Sequence, residues 1–183
     1  TLSADAATIV DADFTNIDNV EGFTTADGAN SVTLGTKADD SGLATVTGGD
    51  DADTINAAAF AGALTVASGA GADVITTQSG DYSLSVDAGA GADGITTVGA
   101  QLTSADTIDG GADTDTITLS ADAATIVDAD FDNISNVEKF TTADGANSVT
   151  LGTKADDSGL KTVTGGGGVD TINAAAFAGA LTV

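Results

Sequence analysis

Apolar residues return along this chain at a nearly fixed interval. Phe23, Val46, Val66, Val86, Ile108, Phe140 and Val163 form one series. Val32, Ile55, Ile75, Ile95, Ile117, Val149 and Ile172 form a second, each nine residues after a member of the first. A glycine-rich bend lies between the two members of every pair. The residue after the second member is always Thr or Asn: Thr33, Asn56, Thr76, Thr96, Thr118, Thr150 and Asn173. An apolar residue flanked by small polar and β-branched ones reads as a short strand with one face buried. One bend with its two strands cannot bury its own apolar side chains, whereas stacked copies can. The pattern predicts an all-β, parallel solenoid (a β-helix or β-roll) with coils of about twenty residues, stacked at the ~4.8 Å spacing of neighbouring strands.

Two stretches modify that prediction. Between Ile117 and Val149 the step is 32 residues rather than 20 to 23. The extra segment, ATIVDADFDNISNVEKF, matches ATIVDADFTNIDNVEGF near the start. Phe14, Ile17 and Val20 are three apart and follow Asp11 and Asp13, two candidate N-caps, so a short helical turn or bulged loop is expected here. Asn56–Ala63 (NAAAFAGA) is alanine-rich and could favour a helix. It occupies the slot held by TTQSGDYS in the next coil, so strand-loop-strand is expected.

A longer period contains the short one. Thr1–Val66 returns as Thr118–Val183 with seven changes, at Thr15/Asp132, Asp18/Ser135, Gly22/Lys139, Ala44/Lys161, Asp50/Gly167, Asp51/Gly168 and Ala52/Val169. Residues 1–183 are therefore read as one solenoid segment of a longer tandem array, with 1–117 a full long repeat and 118–183 part of a second.

Charge narrows the function. The net charge is −24, with four lysines, no arginine and no histidine. Phosphate neutralisation needs Lys and Arg, so nucleic acid is not an expected partner. A compact chain of this charge repels itself unless a cation intervenes. There is no cysteine, which excludes disulfides and thiolate metal sites. No apolar run is long enough to cross a bilayer. Without His or Cys the usual nucleophile–base pairs are missing, and only Glu21 and Glu138 are glutamates, so no enzyme is expected.

The bends carry the candidate chemistry. Ser68–Thr76 and Ala88–Thr96 keep glycine at positions two and four (Gly69, Gly71, Gly89, Gly91) and aspartate at six (Asp73, Asp93). GGDDADTIN from Gly48 and GGADTDTIT from Gly110 open on paired glycines and place Asp51 and Asp113 at position four, Asp53 and Asp115 at six. GGGGVDTIN from Gly165 supplies Asp170, and two degenerate copies carry Asn30 and Asn147 instead. Calcium takes six to eight oxygens from carboxylates and carbonyls, which stacked glycine bends with one aspartate each can offer. Magnesium, which demands a tight octahedron, suits such bends less well. The plain alternative is a set of solvated Asp turns without metal. The candidate ligands are Asp51, Asp53, Asp73, Asp93, Asp113, Asp115 and Asp170, with the backbone at Gly69, Gly71, Gly89 and Gly91. The Asn30 and Asn147 bends are expected to be weaker or empty, and Asp39, Asp40 and Asp81, on the opposite turns, to be solvated.

The GGxGxDxIx pattern of these bends resembles the calcium-binding nonapeptide of hemolysin-type (RTX) proteins. RTX nonapeptides usually follow one another at nine-residue spacing and give two calcium edges. Here they come about twenty apart, so the resemblance implies Ca2+ along one edge and a different turn on the other. It also implies a secreted, extracellular protein of the cell surface: a surface-layer, filament or adhesin segment that assembles with itself and does not insert in a membrane. Three other readings stay open: an adhesin stalk or spacer, an ice-binding domain, and the secretion domain of a hydrolase or toxin. Ala70, Ala72, Ala90 and Ala92, where ice binding would call for Thr or Asn, argue against the ice-binding form.

Overall fold

The computed structural model describes residues 1, 5–80, 82–122 and 124–183. The chain winds into a parallel β-solenoid with two main faces. One is an eight-stranded sheet of Thr8–Ile9, Ser31–Thr33, Thr54–Asn56, Val74–Thr76, Gly94–Thr97, Thr116–Leu119, Lys139–Thr141 and Thr162–Thr164, in that order. The other has six strands: Ile134–Ser135, Thr107–Asp109, Ser85–Asp87, Thr65–Ala67, Thr45–Thr47 and Gly22–Thr24. A third sheet joins Thr125–Ile126, Ser148–Thr150 and Thr171–Asn173.

Register places like on like. Val32, Ile55, Ile75, Ile95 and Ile117 are successive partners in the large sheet. Phe23, Val46, Val66, Val86 and Ile108 are successive partners in the other. Nearly all are buried, and together they form two facing stacks of β-branched side chains. Each strand is mostly three residues long, because only its central side chain points inward and the polar neighbours on either side face out. Burying one such side chain stabilises the fold by roughly 1.5–3 kcal/mol. Adding a coil therefore adds a similar increment each time, as expected of a solenoid.

The long step between Ile117 and Val149 does not interrupt the stack. Ile117 pairs with Phe140, 23 residues on, and Phe140 pairs with Val163. The apolar series thus exchange faces: the first series of the second unit continues the sheet built by the second series of the first unit. Val149 and Ile172 move to the third sheet, behind Ile126. Thirty-two residues amount to about one and a half coils of the expected length, so the second unit starts half a coil out of phase. Ile134 fills the leftover half by pairing with Ile108.

The expected helical turns are 3-10 helices at Asp11–Phe14 and Asp128–Phe131. Asp13 accepts the N–H of Val10 at 2.9 Å, and Asp130 that of Val127 at 2.8 Å. Phe14 and Phe131 pack edge-on against Phe23 and Phe140, with ring centroids 5.7 and 5.6 Å apart. Asp11 does not cap its own turn. Its carboxylate accepts the N–H groups of Gly35 and Ala38 at 2.8 and 2.9 Å, capping an α-helix at Thr36–Asp40 that the apolar pattern does not reveal. Asp128 does the same for Thr153–Asp157. Asn56–Ala63 is a strand end followed by turns, as expected, with no helix. Asp40 is exposed beside Lys37, whereas Asp39, expected to be solvated, is half-buried with its carboxylate against Gly62. Asp81 lies outside the described residues. No helix of the described residues is long and apolar enough to cross a membrane.

Candidate metal centre in the glycine bends

The bends stack backbone on backbone. Gly69, Gly89 and Gly111 have φ of 105°, 91° and 92°. A Cβ at these positions would stand 2.0, 1.9 and 1.8 Å from the carbonyl oxygens of Gly49, Gly69 and Gly89 in the preceding coil. Those carbonyls accept the N–H groups of Ala70, Ala90 and Ala112 at 3.0, 2.9 and 2.8 Å. Only glycine permits both the left-handed φ and this approach. Gly71 and Gly91 are likewise left-handed, and the Cβ of a residue at 91 would meet the Gly71 carbonyl oxygen at 1.8 Å. Asp113 takes the same backbone position with φ 81°, a conformation aspartate tolerates better than most residues.

Behind the bends runs a ladder of acidic side chains. Oδ1 of Asp53 accepts the N–H of Asn30, Asp73 that of Asp53, Asp93 that of Asp73, and Asp115 that of Asp93, each at 2.7 Å. Glu138 extends it by accepting the N–H of Asp115 through Oε2 at 3.0 Å. A second, shorter ladder joins Ala124, Asn147 and Asp170, each backbone N–H donating 3.0 Å to the next side chain. Asp53, Asp73, Asp93 and Asp115 are buried rather than displayed on the surface.

The ladder leaves half of three of its carboxylates unsatisfied, while Oδ2 of Asp53 accepts the N–H of Gly49 at 3.0 Å. Oδ2 of Asp73, Asp93 and Asp115 is buried without a hydrogen-bond partner. Burial raises all three acids above their ordinary range. Asp93 is pushed up to about 6, chiefly by desolvation and secondarily by the charges of Asp73, Asp115 and Asp113, against a lowering hydrogen bond from Asp73. A buried carboxylate oxygen without a partner calls for a proton or a cation. Beside Oδ2 the first glycine of a paired bend leaves room: a Cβ at Gly48, Gly110 or Gly165 would lie 2.7, 2.8 or 2.5 Å from Oδ2 of Asp53, Asp115 or Asp170. At the Ser68 and Ala88 bends a buried side chain fills that place, and Ser68 Oγ donates to the Ala88 carbonyl at 2.8 Å.

These groups fit calcium. Among the described residues no three acidic side chains converge on one point, so an ion here would take most of its oxygens from bend carbonyls. That donor set of one carboxylate and several carbonyls suits a hard ion with a loose, high-coordination shell. When bound, calcium supplies the positive charge that the buried Oδ2 atoms lack.

The sequence-predicted ligands separate into groups. Asp53, Asp73, Asp93 and Asp115 form the buried ladder, and Asp170 is half-buried in the second one. Asp51 and Asp113 lie on the solvent side of their bends. Asn30 and Asn147 sit in the ladders as neutral rungs, each Nδ2 donating to carbonyls of its own bend. Glu138 was not foreseen: it stands outside any nonapeptide, and only its place just before the Lys139–Thr141 strand marks it as a rung. The single edge of bends holds within each unit. Between units the bends change sides: Glu138 continues the ladder of the first unit, and Ala124, which starts the second ladder, lies against Gly99 on the opposite turn.

The family model of the RTX calcium-binding nonapeptide repeat (4 copies) matches residues 44–62, 102–126 and 162–179, together about a third of the chain. All three segments contain a bend that opens on paired glycines, at Gly48, Gly110 and Gly165; the Ser68 and Ala88 bends fall outside them. No curated protein and no solved structure matches the chain significantly. Repeats of this family bind calcium, and the bends and carboxylates described above provide for it. The chain carries RTX calcium-binding nonapeptide repeats.

Proposed function

We propose that this chain is a calcium-stabilised structural repeat of an extracellular protein, whose solenoid units assemble with one another into a filament or surface layer rather than catalysing a reaction. The observation that carries the reading is the junction between units. The second unit adds to the first by continuing its sheet through Ile117 and Phe140 and its acidic ladder through Asp115 and Glu138. A unit that accepts another of its kind through both backbone and side chains is suited to serial stacking. The acidic surface opposes such stacking in monovalent salt, and bound calcium cancels part of that charge.

Light scattering and negative-stain microscopy across a calcium titration test the proposal. Ordered particles are expected in millimolar calcium, and dispersal is expected on chelation. A chain that stays dispersed at millimolar calcium and high protein concentration would instead be a spacer or adhesin stalk, which needs the stiff calcium-bound rod but no contact between rods.

A further inference from the structure

Oδ2 lacks a hydrogen-bond partner in Asp73, Asp93 and Asp115 alike, but only Asp115 belongs to a bend that opens on glycine. Ser68 and Ala88 hold that place in the other two bends. At Gly110 the volume of a side chain is left open. A Cβ there would lie 2.1 Å from the carbonyl oxygen of Asn136 and 2.8 Å from Oδ2 of Asp115. The two oxygens flank one gap, at a separation that a single ion with bonds of about 2.3–2.6 Å can bridge.

Local contacts keep both oxygens free. At the Gly48 bend the N–H of Gly49 donates to Oδ2 of Asp53 at 3.0 Å. At the Gly110 bend the matching N–H, that of Gly111, donates to Oδ1 of Asp109 at 3.1 Å instead. Asp109 stands where the Gly48 bend has Thr47. The same Oδ1 accepts Nδ2 of Asn136 at 2.7 Å. Asn136 is left-handed, with φ 53°, and its carbonyl receives no N–H among the described residues.

We propose that the junction between the units carries a calcium site of its own, formed across them by Oδ2 of Asp115 and the carbonyl of Asn136, with water completing the shell. Such a site rests on the reading of the bends as calcium-binding and involves no contact between chains. One of its walls lies outside any nonapeptide. Ile108 and Ile117 are nine residues apart, whereas Ile134 and Phe140, which stack on them, are six apart. The shorter connection, Asn136–Val137–Glu138, has neither glycine nor aspartate, and the bridged column of Ala70, Ala90 and Ala112 stops before it. Asp113 and Thr114 are exposed there, which gives water access to the gap. Asp109, Asp113 and Glu138 surround Asp115 with negative charge, as a divalent cation requires. Glu138 is itself engaged, by the N–H of Asp115 and by Lys161 Nζ at 3.5 Å, so it positions the site instead of ligating. An ion shared by Asp115 and Asn136 fixes the half-coil step, because each unit supplies one of the two oxygens.

Terbium, an oxygen-seeking ion of similar size, serves as the luminescent probe in the 183-residue chain. The chain has no tryptophan, and Ser135→Trp adds one beside Asn136, at an exposed position whose counterpart is Asp18. Excitation of the indole should give terbium emission, and calcium should displace it. In this background Asp115→Asn should raise the terbium needed for half-maximal emission about tenfold, since a charged ligand is lost. Asp113→Asn, on the solvent side of the same bend, should leave it nearly unchanged. Circular dichroism confirms folding, and Asn147 shows that an amide can serve as a rung. If Asp115→Asn does not fold, Gly110→Ser, which fills the gap as Ser68 does in its own bend, should give the same loss. Emission that ignores Asp115→Asn, or that Asp113→Asn weakens equally, would overturn the site. No emission from a chain that calcium still stabilises against urea would also overturn it, while leaving calcium in the other bends. A junction that responds as expected in a chain that never forms particles would support the site and count against assembly alone.

Discussion

Oδ1 of Asp93 accepts the backbone N–H of Asp73 at 2.7 Å, one coil back, while Oδ2 of the same carboxylate is buried and meets no donor. Half of the side chain therefore holds the coils together and half awaits a cation. The same division recurs at Asp73 and Asp115, so fold stability and metal binding are coupled through single residues.

Calcium should accordingly govern folding. A ligand held only by the native state stabilises it by about 2.7 kcal/mol per site when present at a hundredfold excess over its dissociation constant. Urea melts followed by circular dichroism are expected to show loss of β-structure at a much lower midpoint in chelator than in millimolar calcium. A chain equally stable to urea in both solutions would contradict the coupling.

Acidity should partly replace calcium. Asp93 lies near 6 in the folded chain, against an ordinary 3.8, and Asp73 and Asp115 are raised as well. Between those limits the folded state holds more protons than the unfolded one, so the stability of the calcium-free chain falls as pH rises through the window. Urea melts in chelator should give a higher midpoint at pH 4.5, inside the roughly two-unit window, than at pH 7.5, above it. Calcium affinity should weaken below pH 6, about where proton competition at Asp93 begins. A calcium-free midpoint that climbs with pH would reverse the sign and refute the burial argument.

Asp93→Asn should uncouple the two roles. Asn30 shows that an amide can accept the same ladder bond while donating to the carbonyls of its bend. Removing one buried, unpartnered charge should raise calcium-free stability by about 1–3 kcal/mol and shrink the gain on adding calcium. Asp39→Ala, on the opposite turn, should leave the calcium-induced gain unchanged. Thermal melts of the three proteins with and without calcium provide the comparison, and equal responses in both variants would point to general charge relief.

Two glycine substitutions should separate backbone stacking from loop tolerance. Gly89→Ala forces a left-handed residue's Cβ to 1.9 Å from the Gly69 carbonyl oxygen and should cost roughly 2–4 kcal/mol. Gly22→Ala meets nothing within 4 Å, and its counterpart in the second unit is Lys139, so it should be close to neutral. Urea midpoints in saturating calcium distinguish the two.

Much of this protein was legible in its sequence because a solenoid is locally encoded. Each strand is one apolar residue between polar ones, and each bend is a short glycine run. The two series running from Phe23 and from Val32 therefore named the inward residues, the coil length and the short parallel strands without any long-range information. Asp53, Asp73, Asp93 and Asp115 could be named as oxygen donors for the same reason, since the nonapeptide fixes their place in the bend. The 3-10 turn at Asp11–Phe14 followed from local spacing as well. Tertiary structure decided which strand stacks on which. Nothing local says that Ile117 pairs with Phe140 and not with Val149; burial decides it, because the half-coil shift keeps an apolar residue over every apolar residue. That shift moved the second set of bends to the other side and recruited Glu138, a residue outside any repeat motif. The helix Thr36–Asp40 also came from tertiary structure, since its cap, Asp11, lies 24 residues away from Gly35, the first N–H it receives. Burial of the aspartates was decided the same way: the next coil closes over them, and only then does an ordinary carboxylate become one that needs a proton or a calcium ion.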